Sequence, residues 1–334
     1  MKVAELGEFG LIDLLARMIS DSQNNRFAPH KKLIVGIGDD AAAWHCDNSI
    51  QLATVDSLMQ DVHFSLSTTS WQELGWKSLA VNISDIAAMG GVPTYVLVAL
   101  ALPGATEIEN VSSLYTGMLE LANASQVAII GGNICEAIEV SITITVLGNS
   151  RQNILKRSTA RPGDKIAVTG YLGSAAAGLQ MLNHGLRFNQ EITAYLREAF
   201  LRPRPRVAEG QLLVKRGVAT AIDISDGLLA DLRHICESSR VSARVKADLL
   251  PVHSAVKENF SDRLLKLALA GGEDYELLFT AREEIVNRIK QEAQIPITII
   301  GNIVEGKPGD IDVFDATGKP INLREMGWEH FKAE

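Results

Sequence analysis

The chain is poor in cysteine. Its 334 residues include three cysteines, Cys46, Cys135 and Cys236, and no Cys-x-x-Cys pair. An odd number of widely spaced cysteines fits neither a zinc site nor a disulfide framework, so we expect buried thiols in a reducing compartment. The composition therefore argues against a disulfide-stabilised secreted protein and predicts a cytoplasmic one.

Long apolar segments and an excess of positive charge are also lacking. The most apolar segment, residues 92–102, is too short to span a bilayer, and the first residues carry acids where a secretory signal would carry bases. With 32 Lys+Arg against 40 Asp+Glu, the net charge is −8. This balance argues against nucleic acid or an anionic membrane as a partner.

No Walker A sequence, G-x-x-x-x-G-K-[ST], occurs in the chain, so any bound ATP is not held by a P-loop. Residues 36–41 do match the dinucleotide pattern G-x-G-x-x-A, and Asp56 follows them. The match is weak, because Asp39 and Asp40 lie inside it and two carboxylates repel a pyrophosphate unless a metal intervenes.

Acidic residues at the ends of apolar or glycine-rich runs are abundant. A carboxylate in such a position is costly to desolvate unless a positive group meets it, and these runs contain almost no basic residue. Mg²⁺ takes oxygen ligands and often binds together with phosphates. The pattern predicts a metal-dependent, phosphate-handling enzyme. The acid-ended runs are residues 37–40, 53–56, 82–85, 221–226 and 271–274.

The length and the order of strand-like and helix-like runs predict a two-domain α/β (α+β) fold. A chain of 334 residues exceeds what one core supports. The composition changes at residues 149–165, a basic stretch that ends in the turn-forming residues 161–164. We therefore expect domains at residues 1–150 and 151–334.

A helix with a marked start and end is predicted in the first domain. Ser70 and Glu73 fit a capping box, and Gly90 and Gly91 should end the helix. Asp85 then falls in its last turns, where the helix dipole disfavours a carboxylate. Its presence suggests a reason other than helix stability.

Two further motifs leave alternatives open. Residues 223–227, Asp-Ile-Ser-Asp-Gly, lie where a strand should turn into a helix. Asp226 or Ser225 could simply cap that helix, but two acids and a serine exceed what capping requires. The spacing favours metal ligation, and N–H groups at a helix N-terminus suit phosphate. Residues 131–133 are typical of a glycine turn, and they follow a strand predicted at 127–130. A lone histidine such as His63 is more often structural than functional.

Taken together and in this order, the motifs resemble the thiamine-monophosphate kinase family over nearly the whole chain. The resemblance implies a two-domain fold of the aminoimidazole ribonucleotide synthetase type, whose N-terminal domains pair in a homodimer around a shared β-barrel. It also implies ATP binding without a P-loop. The matching segments are residues 7–12, 36–42, 56 with 62–64, 80–90, 222–228 and 271–277.

The resemblance assigns roles to individual residues. Magnesium ligands are implied at Asp40, Thr54, Asp56, Asp85, Asp223 and Asp226. ATP contacts are implied at Gly132, Arg157 and Ser225, and substrate contacts at His63, Glu273 and Trp328. Asp85, Asp226 and Arg157 would then be the catalytic groups.

Two positions depart from the family pattern. Asn133 stands where a charged metal ligand is usual, and it could ligate a metal or contact the nucleotide through its carbonyl oxygen. Val55 stands where threonine is usual and could ligate through its backbone carbonyl alone. The resemblance still implies transfer of the ATP γ-phosphoryl group to thiamine monophosphate, assisted by several Mg²⁺ ions. The alternatives are another ATP-dependent synthetase or kinase of the superfamily, or a catalytically weak nucleotide-binding protein.

Overall fold

The structure, a computed structural model, divides the chain into two compact units. One is Met1–Ile86 with Gly91–Gln152, and the other is Ala87–Gly90 with Asn153–Glu334. We call them the N-terminal and the C-terminal unit. The structure describes residues 11, 14–22, 32–35, 43–44, 49–151, 153–321 and 327, with the backbone alone at 33–35 and 43–44.

The N-terminal unit contains a four-stranded sheet. The strands lie in the order β3-β6-β4-β5; β4 and β5 are parallel, and the other two pairs are antiparallel. A separate pair, β1 and β2, is antiparallel. The elements are β1 (Leu33–Val35), β2 (Ala43–Trp44), β3 (Ile50–Met59), α1 (Trp71–Ala88), β4 (Val92–Leu102), α2 (Ile108–Ser125), β5 (Ala128–Glu136) and β6 (Ser141–Ser150).

Local sequence explains where α1 starts and ends. The Ser70 backbone N–H donates to Glu73 Oε2 at 3.0 Å, and the Glu73 N–H donates back to Ser70 Oγ at 3.3 Å. This reciprocal pair confirms the predicted capping box. At the other end Gly90 takes a left-handed φ of 70°, which glycine adopts without strain, and the predicted stop is confirmed.

Two glycines set the packing of α1 against α2. A Cβ atom on Gly75 would lie 1.8 Å from the Leu114 carbonyl oxygen, and one on Gly117 would lie 1.8 Å from the Gln72 carbonyl oxygen. The two helix backbones therefore touch at reciprocal points, and no side chain fits between them there. Buried leucines such as Leu74 and Leu114 pack around this crossing.

The predicted glycine turn at residues 131–133 is wrong. Strand β5 continues through these residues to Glu136. The glycine at 132 serves a close approach between strands, because a Cβ there would lie 1.9 Å from the Val98 carbonyl oxygen of β4. The register of the two parallel strands shifts just before this point, between Val96 and Leu97.

The C-terminal unit contains a six-stranded sheet covered on both faces. The strands lie in the order β12-β9-β11-β7-β10-β8, and all neighbours are antiparallel except β12 and β9. Its elements are β7 (Lys165–Thr169), α3 (Ser174–His184), α4 (Gln190–Leu201), α5 (Val207–Lys215), β8 (Thr220–Asp223), α6 (Leu228–Ser239), β9 (Ser242–Lys246), α7 (Ser254–Asn259), α8 (Leu264–Ala270), β10 (Leu277–Ala281), α9 (Glu283–Glu292), β11 (Ile297–Val304) and β12 (Ile311–Phe314).

The central strands explain why both faces of this sheet are covered. Alternate side chains of a strand point to opposite faces. Ile166 and Val168 of β7 join one hydrophobic cluster, whereas Ala167 between them joins another. All five residues of β10 are buried, and four of the five are apolar. Within the described part of the chain, no helix is long and apolar enough to cross a bilayer.

Candidate active site

In the N-terminal unit, β3 and α1 bring together three of the predicted metal ligands. The Thr54 hydroxyl donates to Asp85 Oδ2 at 2.6 Å. The Asp56 backbone N–H donates to Asn82 Oδ1 at 2.9 Å, and Asn82 lies one helical turn before Asp85 on α1. Strand alternation places Thr54 and Asp56 on the same face of β3. Asn82 was not predicted as a site residue; its i, i+3 spacing from Asp85 was the available sign.

Two other predicted ligands of this unit, Val55 and Asn133, have side chains that lie outside that group. By strand alternation, the Val55 side chain points to the face opposite Thr54, and it is 57% exposed. Asn133 on β5 aligns through β4 and β6 with Ser57 on β3, so three strand spacings of about 4.8 Å separate them by about 14 Å. Gly132 lies beside Asn133 on β5. Asp40 lies outside the described residues.

In the C-terminal unit, two acidic loops are hydrogen-bonded to each other. The first is the segment after β8, residues 224–227, and the second is the segment before β10, residues 271–276. The Glu273 N–H donates to the Ser225 carbonyl at 2.8 Å, and the Tyr275 N–H donates to the Ile224 carbonyl at 2.9 Å. The two loops thus bring predicted nucleotide, substrate and metal residues together.

The second loop is strained. Glu273 and Tyr275 have left-handed φ values of 67° and 49°, which cost residues other than glycine free energy. Gly272 is required beside them, because a Cβ there would lie 2.4 Å from the Ser225 carbonyl oxygen. Strained backbone of this kind persists where surrounding contacts over-determine it, and it is typical of functional sites.

The first loop is held from inside by a residue that we did not predict, Asp231 of α6. Its Oδ2 accepts the backbone N–H groups of Ser225, Asp226 and Gly227 at 3.1, 3.2 and 3.1 Å. Burial raises the pKa of Asp231 well above its usual range, and the negative charges of Asp223 and Asp226 raise it further.

This arrangement corrects one expectation about residues 223–227. The capping alternative is wrong, because the N-cap of α6 is Gly227 and no side chain caps it. The N–H groups of residues 225–227 donate to a carboxylate of the protein, and phosphate binding by N–H groups of the helix N-terminus stays a prediction. Asp223 is buried and Asp226 half-buried. One carboxylate oxygen each of Asp226 and Asp231 and a ring nitrogen of His234 lie within 4.8 Å of one another.

Two acids of the second loop, Asp274 and Glu276, accept hydrogen bonds from neighbouring segments of the C-terminal unit. Asp274 Oδ2 accepts the Gly173 N–H at 2.7 Å, and its Oδ1 accepts the Ala175 N–H at the start of α3 at 3.2 Å. Enclosure of this carboxyl group raises the pKa of Asp274 to about 8. The carboxylate of Glu276, a residue only 5% exposed, accepts the Thr169 hydroxyl at 2.6 Å and Arg206 Nε at 2.7 Å. The expectation that Asp274 faces a cation is therefore wrong.

Arg157 lies away from these loops in the C-terminal unit. Its carbonyl accepts the Ser239 hydroxyl at 2.7 Å, so its backbone lies beside the last residue of α6. The first loop precedes the other end of this 12-residue helix, which is about 18 Å long. Arg157 itself is exposed. The structure therefore does not bring its backbone next to Ser225 and Asp226.

The structure describes two of the three predicted substrate residues, His63 and Glu273. His63 is half-buried in the turn after β3, where its Nδ1 accepts the Met59 N–H at 3.0 Å. That bond places the proton of the neutral ring on Nε2. Glu273 is the strained residue of the second loop. Trp328 lies outside the described residues.

Comparisons with known proteins agree with this architecture. Residues 38–149 match the family described as AIR synthase related protein, N-terminal domain, and residues 161–313 match its C-terminal domain. A thiamine-monophosphate kinase of Bacillus subtilis is 38% identical over 311 residues, covering 91% of this chain and 95% of the relative. The two-domain α/β fold is thus confirmed.

Solved structures give the same result. The thiamine-monophosphate kinase of Stenotrophomonas maltophilia superposes with a TM-score of 0.81 at 36% identity, covering 90% of this chain and 95% of that one. A structure described as AaThiL complexed with AMPPCP and TMP superposes with a TM-score of 0.77 at 32% identity, covering 99% of both chains. On the strength of the identity, the coverage and the shared fold, this chain belongs to the thiamine-monophosphate kinase family.

Proposed function

We propose that this protein catalyses the ATP-dependent phosphorylation of thiamine monophosphate to thiamine diphosphate. The observation that carries the proposal is the 32% identity, over 99% of the chain, to a relative whose structure was solved with AMPPCP and TMP. Curated relatives named thiamine-monophosphate kinase that span nearly the whole chain support it as well.

The chemistry requires little covalent help from the protein. An oxygen of the acceptor phosphate attacks the γ-phosphorus of ATP, the bond to the β–γ bridging oxygen breaks, and ADP leaves. The acceptor phosphate has a second pKa of about 6, so it is largely ionised at neutral pH and needs no general base. The barrier is the repulsion between two polyanions, and catalysis consists of positioning and charge neutralisation.

The acidic residues fit Mg²⁺ as the neutralising ion. Hydroxyl and carboxylate oxygens are its preferred ligands, and Thr54 and Asp85 already place such oxygens 2.6 Å apart. When bound, Mg²⁺ offsets the charge of the phosphates. We assign several Mg²⁺ ions to the predicted ligands of each unit: Asp40, Thr54, Val55, Asp56, Asp85 and Asn133 in the N-terminal unit, and Asp223 and Asp226 in the C-terminal unit. We assign the nucleotide to Gly132, Asn133, Arg157 and Ser225, and thiamine monophosphate to His63, Glu273 and Trp328.

We also propose that the N-terminal unit forms a homodimer through its sheet. Strand β3 is an edge strand, and its Val55 and Met59 side chains are exposed and apolar. Exposed edges and apolar patches of this kind are typical of protein–protein contacts. Light scattering should give twice the chain mass for the wild type and a lower mass for Val55→Glu. A monomeric wild type would contradict the dimer.

The decisive experiment measures ADP release with and without thiamine monophosphate and Mg²⁺. Release that requires both supports the kinase. Release with a different acceptor would indicate another ATP-dependent enzyme of the superfamily, and ATP binding without release would indicate a nucleotide-binding protein. Calorimetry with ATP in EDTA should show little binding. Asp85→Asn and Asp226→Asn should each lower turnover far more than they lower the free energy of unfolding.

A further inference from the structure

Asp231 is a buried carboxylate outside every group of residues assigned above. It lies in the first turn of α6 and is 2% exposed. Its three hydrogen bonds to the loop go to one oxygen atom, Oδ2, and the three donors are consecutive N–H groups of the backbone. Successive N–H groups that converge on one anion curl the backbone around it.

Helix stability alone does not account for this residue. Two of the three N–H groups, those of Ser225 and Asp226, belong to the loop before the N-cap of α6. Burying a carboxyl group in the protein interior is unfavourable, because the group loses its contacts with water. A second acid, Asp226, lies close by and adds repulsion. The three hydrogen bonds hold the backbone of residues 225–227 in one conformation.

That shape determines where two proposed site residues stand. Ser225 and Asp226 carry their side chains on the backbone that Asp231 holds. The Ser225 carbonyl in turn accepts the N–H of Glu273 at 2.8 Å, so the position of the second loop depends on the first. A continuous path of hydrogen bonds thus leads from Asp231 through Ser225 to Glu273.

We propose that Asp231 is a positioning residue for the kinase reaction, which acts by clamping the backbone of residues 225–227 so that Ser225, Asp226 and Glu273 present their side chains together. The inference rests on the proposed function. It assigns no contact with substrate to Asp231. Groups that orient the ligands of a metal typically change metal affinity or activity by roughly 10- to 100-fold when they are removed.

The test compares two substitutions at this position with two controls on the same helix. Asp231→Asn keeps an acceptor oxygen without its charge, and Asp231→Ala removes both. Glu237→Gln removes an exposed carboxylate of α6 that pairs with Arg233 and touches neither loop. His234→Gln removes the imidazole ring, a nitrogen of which lies within 4.8 Å of a carboxylate oxygen of Asp231 and of Asp226. Each protein is assayed for amide hydrogen exchange without metal, for Mg²⁺–ATP affinity by calorimetry, and for kcat and KM.

The expected result is graded. Asp231→Ala should speed exchange at the amides of 225–227 and weaken Mg²⁺–ATP binding by roughly 10- to 100-fold. Asp231→Asn should fold, retain part of the amide protection and lose less affinity. The Glu237 and His234 variants should match the wild type.

Three results would overturn the proposal. The first is unchanged exchange and affinity in Asp231→Asn and Asp231→Ala. The second is a loss of affinity without faster exchange, and the third is an equal loss in His234→Gln, which would make the cluster a direct cation site. If the wild type itself releases no ADP with thiamine monophosphate, the proposed function fails, while exchange and Mg²⁺–ATP affinity still decide the role of Asp231.

Discussion

The contact between Gly132 and the backbone of β4 yields a sharp prediction about two adjacent glycines. A Cβ at 132 would lie 1.9 Å from the Val98 carbonyl oxygen and 2.7 Å from its carbon. Both are backbone atoms in the middle of a paired strand. Relieving the clash would therefore require β4 and β5 to move apart by about 1 Å or more. Among the described residues, the one atom that a Cβ at 131 would meet within 4 Å is Leu97 Cδ2, at 3.1 Å.

The expected costs differ accordingly. Overpacking a rigid site costs about 1–3 kcal/mol and occasionally more, and we expect Gly132→Ala to lose at least about 3 kcal/mol. Gly131→Ala should lose less than about 1 kcal/mol, because a leucine methyl group can move and alanine reduces the entropy of the unfolded chain. For a unit of this size, 3 kcal/mol corresponds to a Tm lower by roughly 6–12 °C.

Urea unfolding followed by circular dichroism, together with ATP calorimetry, measures both consequences. Equal stability of the two alanine variants would refute the close approach of the strands. If Gly132→Ala is destabilised as expected but binds Mg²⁺–ATP with wild-type affinity, the glycine serves strand packing, and its assignment to the nucleotide is wrong.

Three further predictions concern charged and polar residues. Enclosure raises the pKa of Asp274 in the folded protein to about 8 from its ordinary value of 3.8. The folded state then binds more protons than the unfolded state between these pH values, so the free energy of unfolding should fall as pH rises, by at most about 1.4 kcal/mol per pH unit. Urea titrations from pH 5 to 8 should show a flatter profile for Asp274→Asn. Arg206→Met leaves the buried Glu276 carboxylate without its bidentate partner and should cost about 3–5 kcal/mol, much of it recovered in a double variant with Glu276→Gln; no recovery would contradict the pairing. Asn133→Asp adds a charge at a proposed metal ligand and should lower the Mg²⁺ concentration for half-maximal activity; superimposable Mg²⁺ titrations would place residue 133 away from the metal.

The features that sequence predicted well depend on residues close together in the chain. The capping box at Ser70 and the helix end at Gly90 depend on neighbouring residues alone, so the local sequence pattern is sufficient to predict them. The glycine at 132 has a non-local reason, since the backbone it touches belongs to β4, and its local pattern was read as a turn. Only the folded strands distinguish a glycine needed for a turn from one needed for contact.

The roles of the acidic residues were even harder to predict from the local sequence. Sequence reasoning grouped Asp274 with the acids that face cations, and it passed over Asp231. Both carboxylates accept backbone N–H groups, which have no sequence signature because every residue except proline carries one. Asp85 was recognised because the helix dipole disfavours it, a property of its position in one helix. Whether an acid holds the backbone in place or is free to bind a metal depends on how deeply its carboxylate is buried and on which groups donate hydrogen bonds to it. Both depend on contacts between segments that are distant in the sequence.

The reciprocal crossing of α1 and α2 has a mechanical consequence. Because each glycine lies against a carbonyl of the other helix, either helix would meet backbone atoms if it slid along its neighbour by part of a turn. We therefore expect the two helices to move together in a single register. Asn82 and Asp85 lie on α1, so we expect their positions relative to α2 to stay constant during turnover, and any opening that admits substrate to involve other segments of the chain.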